Sequence, residues 1–304
     1  MVAQRGVMTI TIRPFNFDDL DDYEALEIIG RNTHPDDYPT VSEIRYMDKL
    51  DSTHFRYRLI AEHEEKIIAW VGTREMWWFA APDQYTVNGA VLSDWQEQGV
   101  GGQLWQAIQR VLAEKKAVTM MSWVREDFGR SKRFLENRGF VQVMRDAQSQ
   151  LDLASFDASR FAGITDKMDE QGIKLYNLLE LAQIEPNWKQ KVWEMRWPIR
   201  QDIPSSEEKK PIPYDEWHKF TIDAPDYTPA GFIVAIAPDG EYIGWSNIKR
   251  SDADPKKLYT GVTGVKRAWR RKGIATALKL RVIAFAQANG FERIVTENEE
   301  NNPM

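Results

Sequence analysis

Cysteine is absent from the 304-residue sequence, and histidine occurs only four times. Without cysteine the chain can form no disulfide, no thiolate nucleophile and no cysteine-ligated metal site. The four histidines show neither an i,i+4 pair nor another spacing typical of metal ligands, so we expect no metal. They are His34, His54, His63 and His218.

Long apolar runs and a surplus of basic residues are also absent. No segment approaches the roughly 20 apolar residues of a membrane-spanning helix, and no basic-then-apolar leader opens the chain. We therefore expect a cytoplasmic protein without membrane contact. The formal net charge of −6 disfavours a nucleic-acid partner, because neutralising phosphates requires a basic face. The composition, 42% hydrophobic and 28% charged, is that of a globular protein.

The sequence consists of two related halves, offset by 174 positions. In each half two strand-like runs flank a polar turn, in LIAEHEEKIIAWVG and VAIAPDGEYIGWSN, which predicts a β-hairpin. A strand, a glycine turn, a helix of about four turns and another short strand follow in each. In the second copy the apolar stripe of that helix is Leu278, Val282, Phe285 and Ala286. The coinciding positions are Tyr85 and Tyr259, Trp95 and Trp269, Gly99 and Gly273, and Leu104 and Leu278.

This repeat predicts an α/β protein with mixed sheets, built from two tandem domains. We expect an N-terminal domain over residues 1–155, a polar linker over 156–172 and a C-terminal domain over 173–304. The linker is assigned because that stretch has weak hydrophobic periodicity.

The glycine turn of the second half, in AWRRKGIATALKLR, carries three cations directly before a helix. A helix N-terminus has partial positive charge and attracts anions, so Arg270, Arg271 and Lys272 oppose the helix dipole unless an anion lies there. Gly273 and the small residues after it leave room for phosphate oxygens at the exposed N–H groups. A solvated basic turn whose glycine only permits the bend is the alternative.

The segment GVKRAWRRKGIATAL resembles motif A of the GCN5-related N-acetyltransferase (GNAT) superfamily, [RQ]-x-x-G-x-[GA] after a strand. Arg270, Gly273 and Ala275 match this core in the second half. Gln96, Gly99 and Gly101 match it in the first, which continues with a family-like SKRFLENRGF. The resemblance covers nearly the whole chain as two tandem domains, as in the mycothiol synthase-like branch.

The resemblance implies acetyl-coenzyme A as co-substrate, held between two splayed parallel strands. Its pantetheine arm would pair with the backbone of the first strand, and its pyrophosphate would meet the backbone of the turn. A backbone N–H near Gly264 or Val265 would polarise the thioester carbonyl. The residues so implied are Thr263, Gly264, Val265, Arg270, Arg271, Lys272, Gly273, Ile274, Ala275, Thr276 and Asn298. Asn298 is equally well interpreted as an ordinary turn residue.

The two halves differ at the turn, where the first reads Gln96, Glu97 and Gln98. A carboxylate facing a pyrophosphate would weaken binding by repulsion. We therefore expect little or no cofactor binding in the first half and assign catalysis to the second.

The second half lacks a counterpart of the segment after Arg130, which in the family supplies the last helix and strands. A bare sheet edge would favour aggregation. Either the chain is truncated, or strands from the first domain or another chain complete the sheet. A homodimer is one arrangement that the sequence leaves open.

The acetyl acceptor would be a small-molecule amine that attacks the thioester directly, which requires a neutral amine and a base or water chain. Tyr259 occupies the position where relatives carry a glutamate, so Glu297 is the nearest carboxylate that we can offer as base; a solvent-facing strand end is its alternative interpretation. The main hypothesis is an acetyl-coenzyme A-dependent N-acetyltransferase. A non-catalytic coenzyme A-binding or scaffold protein is the alternative. A third, tRNA-dependent acyl transfer, is disfavoured by the acidic charge and the basic turn.

Overall fold

The computed structural model describes residues 9–35, 38–300 and 302. The chain forms two compact units, Met1–Val141 and Gln142–Met304. Residues 1–8, 303 and 304, at the ends of the two predicted domains, lie outside the described part. No described helix is long and apolar enough to cross a membrane.

The first unit is a five-stranded mixed sheet with helices on both faces. Its strands lie in the order β1-β2-β3-β4-β5, with β4 and β5 parallel and the other pairs antiparallel. Helix α3 packs on one face, and α1 and α2 cover the other. The elements are β1 Thr11–Pro14, α1 Leu20–Thr33, α2 Val41–Leu50, β2 Arg56–His63, β3 Lys66–Glu75, β4 Gln84–Val91, α3 Val100–Glu114, β5 Thr119–Met121 and α4 Gly129–Glu136.

The second unit is a six-stranded mixed sheet in the order β6-β11-β10-β9-β8-β7, with only β10 and β11 parallel. Helix α9 packs on one face, and α6, α7 and α8 pack on the other. The elements are β6 Asp146–Asp152, α5 Ile164–Glu170, β7 Lys174–Asn177, α6 Leu178–Ile184, α7 Trp188–Arg200, α8 Tyr214–Thr221, β8 Phe232–Ile236, β9 Tyr242–Arg250, β10 Lys257–Val265, α9 Ile274–Ala288 and β11 Arg293–Glu299.

The internal repeat is a repeat of structure. Helices α3 and α9 begin and end 174 residues apart, and so do the short 3-10 turns Ser93–Trp95 and Arg267–Trp269 before them. In α9 the predicted stripe lies on the sheet, with Leu278, Val282 and Ala286 buried and Phe285 partly buried against the same core. The prediction of two tandem α/β domains with mixed sheets is therefore confirmed.

The edge of the second sheet is covered by a strand from earlier in the chain, which is one of the arrangements that the sequence left open. Strand β6 pairs antiparallel with β11 along its whole length, from Asp146–Glu299 to Asp152–Arg293. A strand that precedes the predicted linker thus completes this edge of the second sheet.

The division between the units also differs from the predicted boundaries, at 155 and 172. Because β6 belongs to the second sheet, the units meet at 141/142. The segment expected to be a linker contains α5, whose Met168 is buried in the core under α9. Sequence periodicity missed α5 because it is only seven residues long.

Candidate cofactor-binding site

The two parallel strands at the centre of the second sheet separate part-way along their length. Strand β10 pairs with β11 only from Lys257–Arg293 to Tyr259–Val295, although both strands continue beyond that point. The edge of β10 over residues 263–265 therefore has no strand partner in the described chain on the side of β11. This opening is where the family resemblance placed the pantetheine arm.

A β-bulge lies where β10 leaves β11. The register between β9 and β10 shifts between Thr260 and Thr263, so that Gly261 and Val262 both lie opposite Asn247. The Asn247 Oδ1 atom accepts a hydrogen bond from the Val262 N–H at 3.0 Å. A Cβ atom at Gly261 would lie 2.3 Å from Asn247 Nδ2, so only glycine leaves room for this side chain. Bulges bend a strand and re-aim its polar groups.

Only alternate residues of β10 turn their backbone towards the opening. The Lys266 N–H donates to Ile243 O of β9 at 2.8 Å. In an antiparallel ladder the backbone groups of Gly264 then also face β9, whereas those of Thr263 and Val265 face away from it. Of the two backbone N–H groups predicted to polarise the thioester carbonyl, at Gly264 and Val265, only that of Val265 faces the opening. The backbone of Thr263 faces the same side.

Gly264 is required for helix packing. A Cβ atom at this position would lie 2.3 Å from Ile199 Cγ2 of α7. The glycine thus lets α7 rest directly on the end of β10, next to the opening.

The turn after β10 has two left-handed residues, Arg271 with φ 62° and Gly273 with φ 88°. Gly273 is the N-cap of α9 and makes no side-chain hydrogen bond to the helix start. The first N–H groups of α9, at Ile274, Ala275 and Thr276, have no partner within the helix, and such groups commonly bind phosphate.

Arg270 closes this turn and is not a free cation. Its Nε donates to Val265 O at 3.0 Å, and its guanidinium pairs with Asp202. The Asp202 side chain is only 7% exposed and also accepts a hydrogen bond from Arg267 Nε at 2.9 Å. These bonds, from Arg267 first and then Arg270, lower the pKa of Asp202 although burial raises it. Arg270 is therefore paired within the fold, which the sequence did not indicate, and its role in cofactor binding stays a prediction.

Arg271 and Lys272 are the cations that remain at the turn. Arg271 is exposed, and Lys272 Nζ lies 4.3 Å above the ring centroid of Trp269. Neither has a carboxylate within 4 Å in residues 9–35, 38–300 and 302. The charge available to an anion at this turn thus comes from Arg271 and Lys272.

Helix α5 lies against the same turn. A Cβ atom at Gly273 would be 3.6 Å from side-chain atoms of Ile164, Lys167 and Met168. The Gln171 Nε2 group donates to Lys272 O at 3.3 Å. The segment predicted as linker therefore supports the turn.

The equivalent turn of the first unit uses the same closing bond. Gln96 Nε2 donates to Val91 O at 2.9 Å, as Arg270 does to Val265 O 174 residues later. Glu97, the predicted repulsive residue, lies with Oε1 3.3 Å from Arg130 Nε. The first unit therefore has a turn of the same shape, in which the carboxylate is paired.

Glu297 and Asn298 lie on the exposed part of β11 beyond its pairing with β10. Both are exposed, and Gln148 Nε2 of β6 donates to Glu297 Oε1 at 3.2 Å. The structure brings neither into contact with Thr263 or Val265, so their predicted roles stay predictions.

Two residues that shape the site have no distinctive signal in the sequence. Asp202 follows α7 in a proline-rich loop, and Asn247 lies in mid-strand. Comparison of the halves offers one clue, since Asn247 and Gly261 replace Thr73 and Val87 of the first half.

Residues 23–140 and 189–304 each match the model of the Acetyltransferase (GNAT) family. These matches together span more than half of the chain, which therefore belongs to the GNAT family. No curated protein matches the sequence significantly.

Solved structures of this fold resemble the chain over nearly its whole length. A GCN5-related N-acetyltransferase from Sphaerobacter thermophilus is 15% identical, with a TM-score of 0.69 over 97% of this chain and 88% of that one. A tandem GNAT protein from the clavulanic acid biosynthesis pathway is 13% identical, with a TM-score of 0.71 over 97% and 91%. N-myristoyltransferase of Saccharomyces cerevisiae, solved with myristoyl-CoA, is 12% identical, with a TM-score of 0.58 over 96% and 73%. Likeness at these identities shows the fold, including its tandem arrangement.

Proposed function

We propose that this protein is an acetyl-coenzyme A-dependent N-acetyltransferase that acts on a primary amine of a small molecule, with catalysis in the second unit. The observation that carries the proposal is the unpaired edge of β10 at Thr263 and Val265, which leads into the uncapped start of α9. A strand edge and a helix start in sequence suit an extended chain that ends in phosphates.

The residues present fit coenzyme A. The N–H groups of Thr263 and Val265 would pair with the amides of the pantetheine arm, and the backbone of residues 271–276 would hold the pyrophosphate. Arg271 and Lys272 would add charge-assisted hydrogen bonds, which are stronger than neutral ones.

The chain's own contribution to the reaction would be positioning and polarisation. When bound, the thioester supplies the acetyl group, and the Val265 N–H is placed to donate to its carbonyl oxygen. Glu297 is proposed to take the proton of the amine, either directly or through water, since its carboxylate is exposed to solvent.

A coenzyme A-binding protein without activity is the second candidate. It is favoured by the exposure of Glu297 and by Tyr259, which occupies the position of the glutamate in similar proteins, because an aliphatic amine needs help to lose its proton near neutral pH. Both candidates require cofactor binding, and they differ only in thiol release.

Thiol release from acetyl-coenzyme A in the presence of a panel of primary amines tests the proposal, together with calorimetric binding of coenzyme A. We expect binding and amine-dependent release in the wild type. Gly273→Ala should weaken binding about tenfold, because an L-residue lets the free turn relax out of the left-handed conformation, and restoring it on binding costs roughly 1–2 kcal/mol.

Gly240→Ala is the matched control. Gly240 has φ 87° in the β8–β9 turn, and no atom lies within 4 Å of a Cβ atom built there. Binding without release for any amine would favour the second candidate, and absence of binding would contradict both.

A further inference from the structure

Two arginines on the last turns of α7 have no carboxylate partner. Arg196 and Arg200 are both partly buried, and in residues 9–35, 38–300 and 302 no acidic group lies within 4 Å of either guanidinium. The neighbouring arginines Arg267 and Arg270, in contrast, share Asp202. The α7 pair is therefore a concentration of positive charge that the fold leaves unbalanced.

The surroundings of Arg196 add a second unsatisfied donor. Its Cζ atom lies 5.5 Å from the ring centroid of Trp217, which is 1% exposed. The buried Nε1 of Trp217 has no hydrogen-bond acceptor among the described residues. The guanidinium thus packs over the face of a buried indole whose own N–H has no acceptor among the described residues. An anion bound to the guanidinium would balance its charge.

A third cation lies beside Arg200. Lys209 Nζ donates to Arg200 O at 3.2 Å and also to Ile203 O. Burial lowers the pKa of Arg196, and the charge of Arg200 lowers it further. Burial likewise lowers the pKa values of Arg200 and Lys209. Unpaired charges in such surroundings cost stability, which a bound anion would restore.

The position of α7 connects this cluster to the cofactor opening. Ile199 lies between the two arginines in sequence and packs on Gly264 of β10. Two residues after Arg200, Asp202 binds the turn that leads into α9. The cluster thus belongs to the wall of the second unit against which the splayed end of β10 rests.

We infer that Arg196 and Arg200 bind an anionic group, a carboxylate or a phosphate, carried by the amine that is acetylated. This inference rests on the proposed function and defines its substrate class as amines with an acidic group, such as amino acids or phosphorylated amines. Two guanidinium forks match the planar, bidentate geometry of such groups, which a single exposed arginine would not require. The phosphates of coenzyme A are the other source of the same chemistry.

Anion binding is tested first without turnover, by thermal unfolding of the full chain in succinate against sodium chloride at equal ionic strength. We expect succinate to raise the Tm of the wild type more than chloride does, and Arg196→Gln and Arg200→Gln to lose this difference. Arg281→Gln is the matched control, because Arg281 lies 48% exposed on α9 in the same unit. Arg196→Lys, which keeps the charge, should retain part of the difference and replaces Arg196→Gln if that variant does not fold.

Calorimetry with coenzyme A separates the two sources of the anion. Affinity that is unchanged in Arg196→Gln and Arg200→Gln supports an acceptor-side site. Weaker affinity with an unchanged succinate response would assign the arginines to the cofactor and overturn the inference. Equal succinate shifts in the wild type and all variants would overturn it too.

Turnover then tests the substrate class with a matched pair, 4-aminobutanoate and butylamine. Arg196→Gln should lower kcat/KM for 4-aminobutanoate about tenfold or more and leave butylamine nearly unchanged. Equal losses for both amines would contradict the inference. If no amine is acetylated by the wild type, the proposed enzyme activity fails, while the succinate shift still decides whether the arginines bind an anion.

Discussion

The glycine turns of the two units share their backbone but differ in charge. Glu97 and Arg271 both have φ 62°, and Gly99 and Gly273 have φ 85° and 88°. In each turn the first motif residue donates to the last carbonyl of the preceding strand. Glutamine and arginine each supply the one N–H donor that this closing bond needs, and Arg270 additionally pairs with Asp202. The comparison shows that the two turns keep the same backbone conformation although their side chains carry different charges.

The strands before the turns differ more than the turns themselves. Strand β4 pairs with β3 in unbroken register from Glu75–Tyr85 to Ala69–Val91. Strand β10 carries the bulge opposite Asn247. The second unit thus has a local distortion beside the opening that the first unit lacks, with Asn247 in place of Thr73.

Exchanging the charges of the turns should have the largest effect. Arg271→Glu with Lys272→Gln gives the second turn the side chains of Glu97 and Gln98. We expect coenzyme A binding to weaken about 100-fold, because each charged hydrogen bond contributes roughly 1.5–3 kcal/mol. Calorimetry on the double variant measures the loss.

The control for that exchange is Lys279→Glu with Arg281→Gln, the same change of charge on exposed positions of α9. An equal loss of affinity in both double variants would mean that net charge alone matters, and that the turn is not the phosphate site.

Removing the bulge should have the next largest effect. Asn247→Thr introduces the residue of the first unit, Thr73, and leaves the Val262 N–H without its acceptor. We expect the free energy of unfolding of the second unit to fall by about 1–2 kcal/mol. Urea titration measures it, with Asn289→Thr, at the exposed end of α9, as the control. If both variants lose the same stability, the side chain of Asn247 is not what holds the bulge.

Removing the carboxylate that closes the second turn should have the smallest effect. Asp202→Asn is expected to cost about 0.5–1 kcal/mol at neutral pH, because the amide oxygen can still accept hydrogen bonds from Arg267 and Arg270, and the lost charge pairing with the largely exposed Arg267 is screened. Folding lowers the pKa of Asp202. The stabilisation that its carboxylate contributes is therefore fully present at pH values above the pKa of the unfolded state, roughly 3.9. This stabilisation is lost as the pH falls through the lower pKa of the folded state.

The stability of the wild type and of Asp202→Asn should therefore converge in strong acid. Urea unfolding at neutral and strongly acidic pH checks this convergence. A difference between the two proteins that does not depend on pH would show that the carboxylate charge is not responsible.

Much of the local structure could be predicted because it depends on residues close in sequence. The hairpin turns, the stripe of α9 and the glycine at the helix start all follow from short-range patterns, and the offset of 174 residues showed that the patterns recur. The same offset marked the second turn as the more cationic one. For these features the residues that determine the structure lie within one helix, strand or turn.

The sequence by itself thus determined the tandem α/β fold and the course of the backbone through the glycine turn before α9. Only the tertiary structure decided that β6 closes the second sheet, that Arg270 is bound by Asp202, and that Asn247 holds the bulge. Each of these contacts joins residues far apart in the chain. A hydrogen bond or strand pairing of that kind depends on which surfaces the packed cores bring together, and a single sequence records no partner for an isolated aspartate, asparagine or polar strand.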